Sequence, residues 1–299
     1  MDLIQRLKYD WAQGKMIQRI IMVNVFAFIT FNVILSLFGL WNQNLSTPLA
    51  DWLTLPTNLN KLVTRPWTIV THGFLHGGFF HILFNMLWLY WVGSILEEYI
   101  GSKKILPIYM FGVFAGAFFM VAAFNVFPLF SEVKHTAAGL GASAGVMAII
   151  WATVALLPDY RIRMLFLGSL PLIYIAAAYT AIDLISISGT NAGGHFAHIG
   201  GAIMGYWFIK LYQRGTDLSV GFNKVIDIFN IKIKRKKQPK MKVMRGGKSK
   251  AYNQRYDKTE PTQNNNEDRL NAILDKINDK GYSSLSSKEK EFLKNQSSP

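Results

Sequence analysis

The chain has 299 residues, 51% of them hydrophobic and 14% aromatic, with a formal net charge of +14. It has no cysteine, which excludes a disulfide framework, an Fe–S site and a thiol nucleophile. Apolar runs of about 20 residues, the length that crosses a bilayer, crowd into residues 20–213, while residues 214–299 are polar and basic. The expected fold class is an all-α membrane protein with a soluble tail, its positive charge a matter of membrane topology rather than nucleic-acid binding.

Residues 1–19 read as a cytoplasmic N-terminal segment, with Leu3, Ile4, Leu7, Trp11 and Met16 on one face of a surface helix. The first apolar run is too long, and lacks the small-residue end, for a cleaved signal. It spans about Ile20 to Leu40, and Asn24 and Asn32 inside it are expected to face other helices. Residues 41–79 do not read as a span. Trp41, Trp52 and Trp67 among Pro48, Pro56 and Pro66 suggest a structure lying in the membrane interface.

Further spans are expected from Phe79 to Glu97, Ile105 to Val126, Ser143 to Leu157, Met164 to Ile185 with Pro171 tolerated inside, and His195 to Leu211. Residues 20–213 thus form a domain of six transmembrane helices. A basic linker, 214–266, follows, with a polybasic stretch at 231–250 suited to anionic headgroups. Residues 267–299 read as a small helical hairpin: Leu270, Ile273, Leu274 and Ile277 recur at helical spacing before Gly281, and Ser286 with Glu289 forms a capping box. What the hairpin binds is not legible in the sequence.

Arg6, Lys8, Lys15 and Arg19, then Lys103 and Lys104, Arg161 and Arg163, and Lys210 and Arg214 fall on one side of the six spans. By the positive-inside bias both termini are cytoplasmic, in a multi-pass protein of the cell (inner) membrane. The starts of the fourth and sixth spans then lie together on the outer side.

Chemistry concentrates at those starts. Gly141-Ala142-Ser143-Ala144-Gly145 matches the G-x-S-x-G pattern of hydrolases, but without the strand of a nucleophile elbow. Small residues packing two helices would explain its glycines but not the histidines nearby. A serine at a helix N-terminus has free N–H donors beside it, suited to an oxyanion. His198 is the candidate base, since a serine hydroxyl needs one at neutral pH. Gly201, Ala202 and Gly205 continue its face and would let another backbone approach. Asp183 is the only acidic residue near, and the sequence gives no ground for making it a third member. His81 and Asn85, one turn apart, can both donate to an oxyanion, or serve as polar glue between helices. His72 with His76 and His195 with His198 have spacings a metal could use, but no H-E-x-x-H pattern accompanies them, and neither metal nor cofactor is expected.

The stretch from His76 to Asn85 (HGGFFHILFN), Gly141-Ala142-Ser143 and Ala197-His198-Ile199-Gly200-Gly201 together resemble the rhomboid family of intramembrane serine proteases, over about residues 15–213. The resemblance implies a six-helix rhomboid-like bundle that cleaves transmembrane protein substrates within the lipid bilayer. Ser143 and His198 would be a catalytic dyad, and His81 and Asn85 with the Ser143 N–H would form the oxyanion hole, supported by Gly141. His76, Met147 and Gly201 would stand behind these groups. Four departures mark the chain: Ala144 where the family usually has glycine, Met147 where it often has tyrosine under the histidine, Thr68 after Trp67 where arginine often follows, and Tyr99 where arginine is frequent. The other reading is a non-catalytic protein of the same fold that binds or moves membrane helices; such proteins typically lack the serine or the histidine.

Overall fold

The computed structural model describes residues 15–41, 48–164, 168–229 and 265–296, with Gln5 and Trp11 besides. The surface helix expected before residue 15 and the polybasic stretch at 231–250 lie outside these. The chain divides into two compact units, Met1–Arg235 and Lys236–Pro299.

In the first unit, α1 (Met16–Trp41) leads through two short helices, α2 (Leu59–Thr64) and α3 (Thr68–Thr71), to α4 (Phe79–Ile100) and α5 (Ser102–Val126). Helices α6 (Ser143–Leu156), α7 (Leu172–Ile185), α8 (Ala192–Gln213) and α9 (Leu218–Phe229) follow. Helices α1, α4 and α5 are long and apolar enough to cross a membrane; α6 and α7 are apolar but shorter. The fold is therefore that of a mostly helical membrane protein. Helix α6 is its axis, packed against α4, α5 and α8, with Met147 and Ile149 fully enclosed.

One carboxylate ties together the ends of three helices. Glu97, near the end of α4, is 3% exposed. It accepts the Met16 N–H at 2.6 Å and the Ile17 N–H at 3.1 Å, and the Ser102 hydroxyl at the start of α5. An acid there satisfies orphan N–H groups and the positive end of the α1 dipole. Asn24 faces inward as expected, its amide 3.4 Å from the Tyr109 hydroxyl.

From Pro48 onward the Trp- and Pro-rich segment is folded. Trp52 and Trp67 stack at 5.5 Å, the Arg65 guanidinium lies 4.5 Å over the Trp52 ring, and Arg65 pairs with Asp51 at 2.6 Å. The cations beside Asp51 hold its carboxyl below the usual range despite partial burial. Strand β1 (Leu55–Pro56) pairs antiparallel with β2 (Ala138–Gly139), just ahead of α6. Thr57 Oγ1 donates to the Lys134 and Ala137 carbonyls at 2.7 and 2.9 Å. The loop before the serine is thereby clasped to the loop after α1.

The fifth apolar run is not one helix. Residues Arg161–Met164 (β3) and Gly168–Pro171 (β4) form an antiparallel ribbon, and α7 begins only at Leu172. Pro171 stands at the N-cap position with ψ 133, a backbone that does not continue a helix toward Met164.

In the second unit, α10 (Asn265–Lys280) ends at Gly281, whose φ of +75 lets its N–H reach the Ile277 carbonyl at 2.8 Å. Helix α11 (Ser287–Gln296) starts from the expected capping box, with Ser286 N–H donating to Glu289 Oε2 at 2.7 Å. Lys276 reaches both Glu289 oxygens at 2.9 Å. The Lys276 ammonium, together with the Ser286 donors, holds the Glu289 carboxyl down to about 2.

Candidate active site

Ser143 is the first residue of α6 and is half-buried. Gly141 before it has φ +141, in the region that favours glycine. Its N–H donates to the His72 carbonyl at 2.9 Å, which anchors the turn. A Cβ at Gly141 would come within 3.0–3.1 Å of the His81 ring and 3.4 Å of Ser143 Oγ. His81, Gly141 and Ser143 therefore meet at one point. Because the Gly141 N–H is spent on His72, this glycine gives shape to the site rather than a donor.

Helix α8 reaches α6 through glycine, as the small-residue face beside His198 predicts. A Cβ on Gly201 would overlap the Ala144 carbonyl, and one on Gly205 the Ala148 carbonyl. Ala144 itself is 2% exposed, and its methyl fills the space left by Gly116 of α5, as the Ala148 methyl fills that left by Gly112. The alanine after the serine is thus accommodated by a glycine on another helix, Gly116. Gly145 lies against the Tyr109 ring, with no room for a Cβ.

His198 is held on two sides by α7. Asp183 Oδ1 lies 2.9 Å from His198 Nδ1 and 2.8 Å from His195 Nδ1. The Tyr179 ring stacks on the imidazole at 5.7 Å and 28°. The ring stacked on the imidazole is thus supplied by α7, while Met147 is buried in α6, on the wall of the same cavity. Neither contact was apparent in the sequence. The only signal was that Asp183 is an acid at the end of an apolar run.

His81 and Asn85 face the cavity from α4. One Asn85 N–H donates back to the His81 carbonyl at 2.8 Å, leaving the second for another acceptor. His76 packs edge-on against His81 at 5.0 Å and is fully buried, so it supports His81 rather than lining the cavity. Burial holds His72 and His76 to about 4, neutral at physiological pH, the charge of His81 adding to the effect on His76. Gly201 likewise lies behind the cavity, where its role is packing.

The cavity has a volume of about 1450 Å³ and is lined by Ser143, His198, His81, Asn85 and Gly141 among mostly apolar neighbours. Asp183, His195 and His198 offer one carboxylate oxygen and two imidazole nitrogens within 4.8 Å, a donor set of a kind that holds divalent ions. The hydrogen-bond separations around Asp183 Oδ1 already account for how the three residues meet.

Fold and cavity together define a class: a helical membrane protein that presents a helix-terminal serine and a buried histidine to a common apolar chamber. A family model for the rhomboid domain matches residues 63–214, just over half of the chain, and the chain belongs to the rhomboid family. Residues 254–298 match a second family, of unknown function, DUF6576. The rhomboid protease GlpG of Yersinia pseudotuberculosis serotype I (strain IP32953) is 29% identical over 160 residues, covering 52% of this chain and 51% of that protein. GlpG of Yersinia enterocolitica serotype O:8 / biotype 1B is 28% identical over 157 residues, with the same coverage. The chain spans about half the length of the curated relatives it matches.

Proposed function

We propose that this protein is an intramembrane serine endopeptidase that cuts transmembrane segments of other membrane proteins near the outer face. The observation that carries this reading is the opening of Ser143 and His198, from two helices packed backbone to backbone, onto one chamber with His81 and Asn85 on its wall. Ser143 Oγ attacks the scissile carbonyl carbon as His198 accepts its proton. The carbonyl electron pair moves to oxygen, which is met by the free N–H groups of the first turn of α6, by His81 and by Asn85. The C–N bond breaks as His198 returns the proton to the leaving nitrogen. Water then hydrolyses the acyl-enzyme with His198 again as base. The apolar chamber suits a substrate helix that enters from lipid and unwinds locally.

The reading includes six transmembrane spans within residues 20–213, formed by α1, α4, α5, α6, α7 and α8. Both termini are cytoplasmic in an inner membrane, and the bundle is followed by a basic linker domain, 214–266, and a small helical hairpin domain, 267–299. Supporting this, Lys103 and Lys104 at the start of α5 and Lys210 in the last turn of α8 lie at the ends of their helices away from Ser143. In a reconstituted assay with a transmembrane reporter, Ser143→Ala and His198→Ala should each abolish cleavage, and a fluorophosphonate probe should label wild type at Ser143 alone. Cleavage that survives Ser143→Ala would overturn the proposal.

A further inference from the structure

We propose that Asp183 is a positioning residue for His198, so that the dyad works as a serine–histidine–aspartate relay assembled across α6, α8 and α7; this rests on the proteolytic reading above. Asp183 is 3% exposed and one of only three buried residues of α7. A carboxylate accepts hydrogen bonds and donates none, so the contact at 2.9 Å places the proton of the neutral imidazole on His198 Nδ1. Nε2 is then left with a free lone pair, the form that a base for Ser143 needs. His195, donating to the same oxygen at 2.8 Å, fixes the rotation of the carboxylate. Oδ2 makes no protein hydrogen bond among the described residues, so the carboxylate is directed wholly at the two histidines.

The ring has little other freedom. Tyr179 covers one face of His198, and His195 meets it edge-on at 6.2 Å. The groups that face His198 are thus Asp183 and Tyr179 from α7, His195 from its own helix, His81 from α4 and Ser143 from α6. Only Asp183 among them is an anion. When the Ser143 proton moves to Nε2, the positive charge spreads over the ring, and the carboxylate at Nδ1 lies where it stabilises that charge. When Nε2 gives the proton to the leaving nitrogen, the same hydrogen bond restores the starting tautomer. No proton is lost to Asp183 in either step.

The experiment uses the full chain in detergent micelles and proteoliposomes. Asp183→Asn offers an amide N–H to Nδ1 and so favours the Nε2–H tautomer. Its kcat on a transmembrane reporter should fall about 10²–10⁴-fold with KM little changed, and fluorophosphonate labelling of Ser143 should slow in parallel. Asp183→Glu should recover at least about tenfold over Asp183→Asn, because it restores an acceptor-only group. Ring ¹⁵N NMR of wild type, with His198 assigned by its absence in His198→Ala, should show the Nδ1–H form. An Nε2–H form in wild type overturns the proposal even if every variant misfolds. Equal labelling rates for wild type and Asp183→Asn overturn it while the Ser143 reading stands. Wild type unlabelled at Ser143 overturns the proteolytic reading, and with it the relay.

Discussion

Helices α6 and α7 are both 14 residues long and both apolar, yet eleven residues of α6 are buried and only Leu172, Ala176 and Asp183 of α7 are. The difference does not lie in hydropathy. It lies in glycine on the neighbours: Gly112, Gly201 and Gly205 admit the backbone of α6 and Gly116 the Ala144 methyl, and no such set faces α7 among the described residues. The nucleophile therefore sits on the immobilised helix, while the groups that hold its base, Asp183 and Tyr179, ride on the loosely packed one. In a membrane, close packing comes from small residues and not from apolarity, which every lipid-facing helix shares.

The largest expected effect breaks the α6 side. Gly205→Val drives a side chain into the Ala148 carbonyl and should cost at least about 3 kcal/mol, the upper end of overpacking, seen as a collapse of the thermal midpoint in detergent. Acid should act next, at the foot of α6. His72, whose carbonyl anchors Gly141, and His76 are held near 4 against an ordinary 6.5 by burial. Between those values the unfolded chain takes up protons that the folded one refuses. Stability is thus full above about pH 6.5 and falls as pH drops toward 4, by on the order of 2–3 kcal/mol for His72. Thermal midpoints across that window, flattened in His72→Gln, check it. Gly141→Ala meets both a positive φ and the His81 ring, and should cost about 1–3 kcal/mol while cutting reporter cleavage by at least about tenfold. The smallest effect belongs to α7: Ile185→Ala, at a residue 82% exposed, should change the thermal midpoint by the equivalent of no more than about 0.5 kcal/mol. A large loss there would erase the contrast between the two helices.

Much of the bundle is legible in the sequence because a helix that crosses lipid announces itself by length and composition. The starts of α4 and α6 fall where Phe79 and Ser143 were expected, and the glycine face beside His198 foretold the approach of α6. Residues Met164–Pro171 misled because Leu165, Phe166 and Leu167 keep the run apolar, so hydropathy runs smoothly through a ribbon that ends at Pro171. Asp183 and Tyr179 were hidden for another reason. Their contact with His198 depends on which way α7 is rotated, and a helix with so few buried residues carries little pattern from which to read that rotation. Ala144 departs from the family pattern, and its accommodation could not be read from its neighbours in sequence, because the glycine that receives it, Gly116, is on a different helix.

The carboxylate of Glu97 has a consequence in time. The amide of Met16 that it caps lies 81 residues earlier in the chain. At synthesis rates of about 5–20 residues per second, α1 emerges roughly 4–16 s before its cap exists. During that interval the first-turn N–H groups must find their acceptors in water or headgroups. The arrival of α4 then caps the start of α1, and a Glu97→Gln protein should be caught by quality-control proteases at the nascent stage more often than its final stability alone would imply.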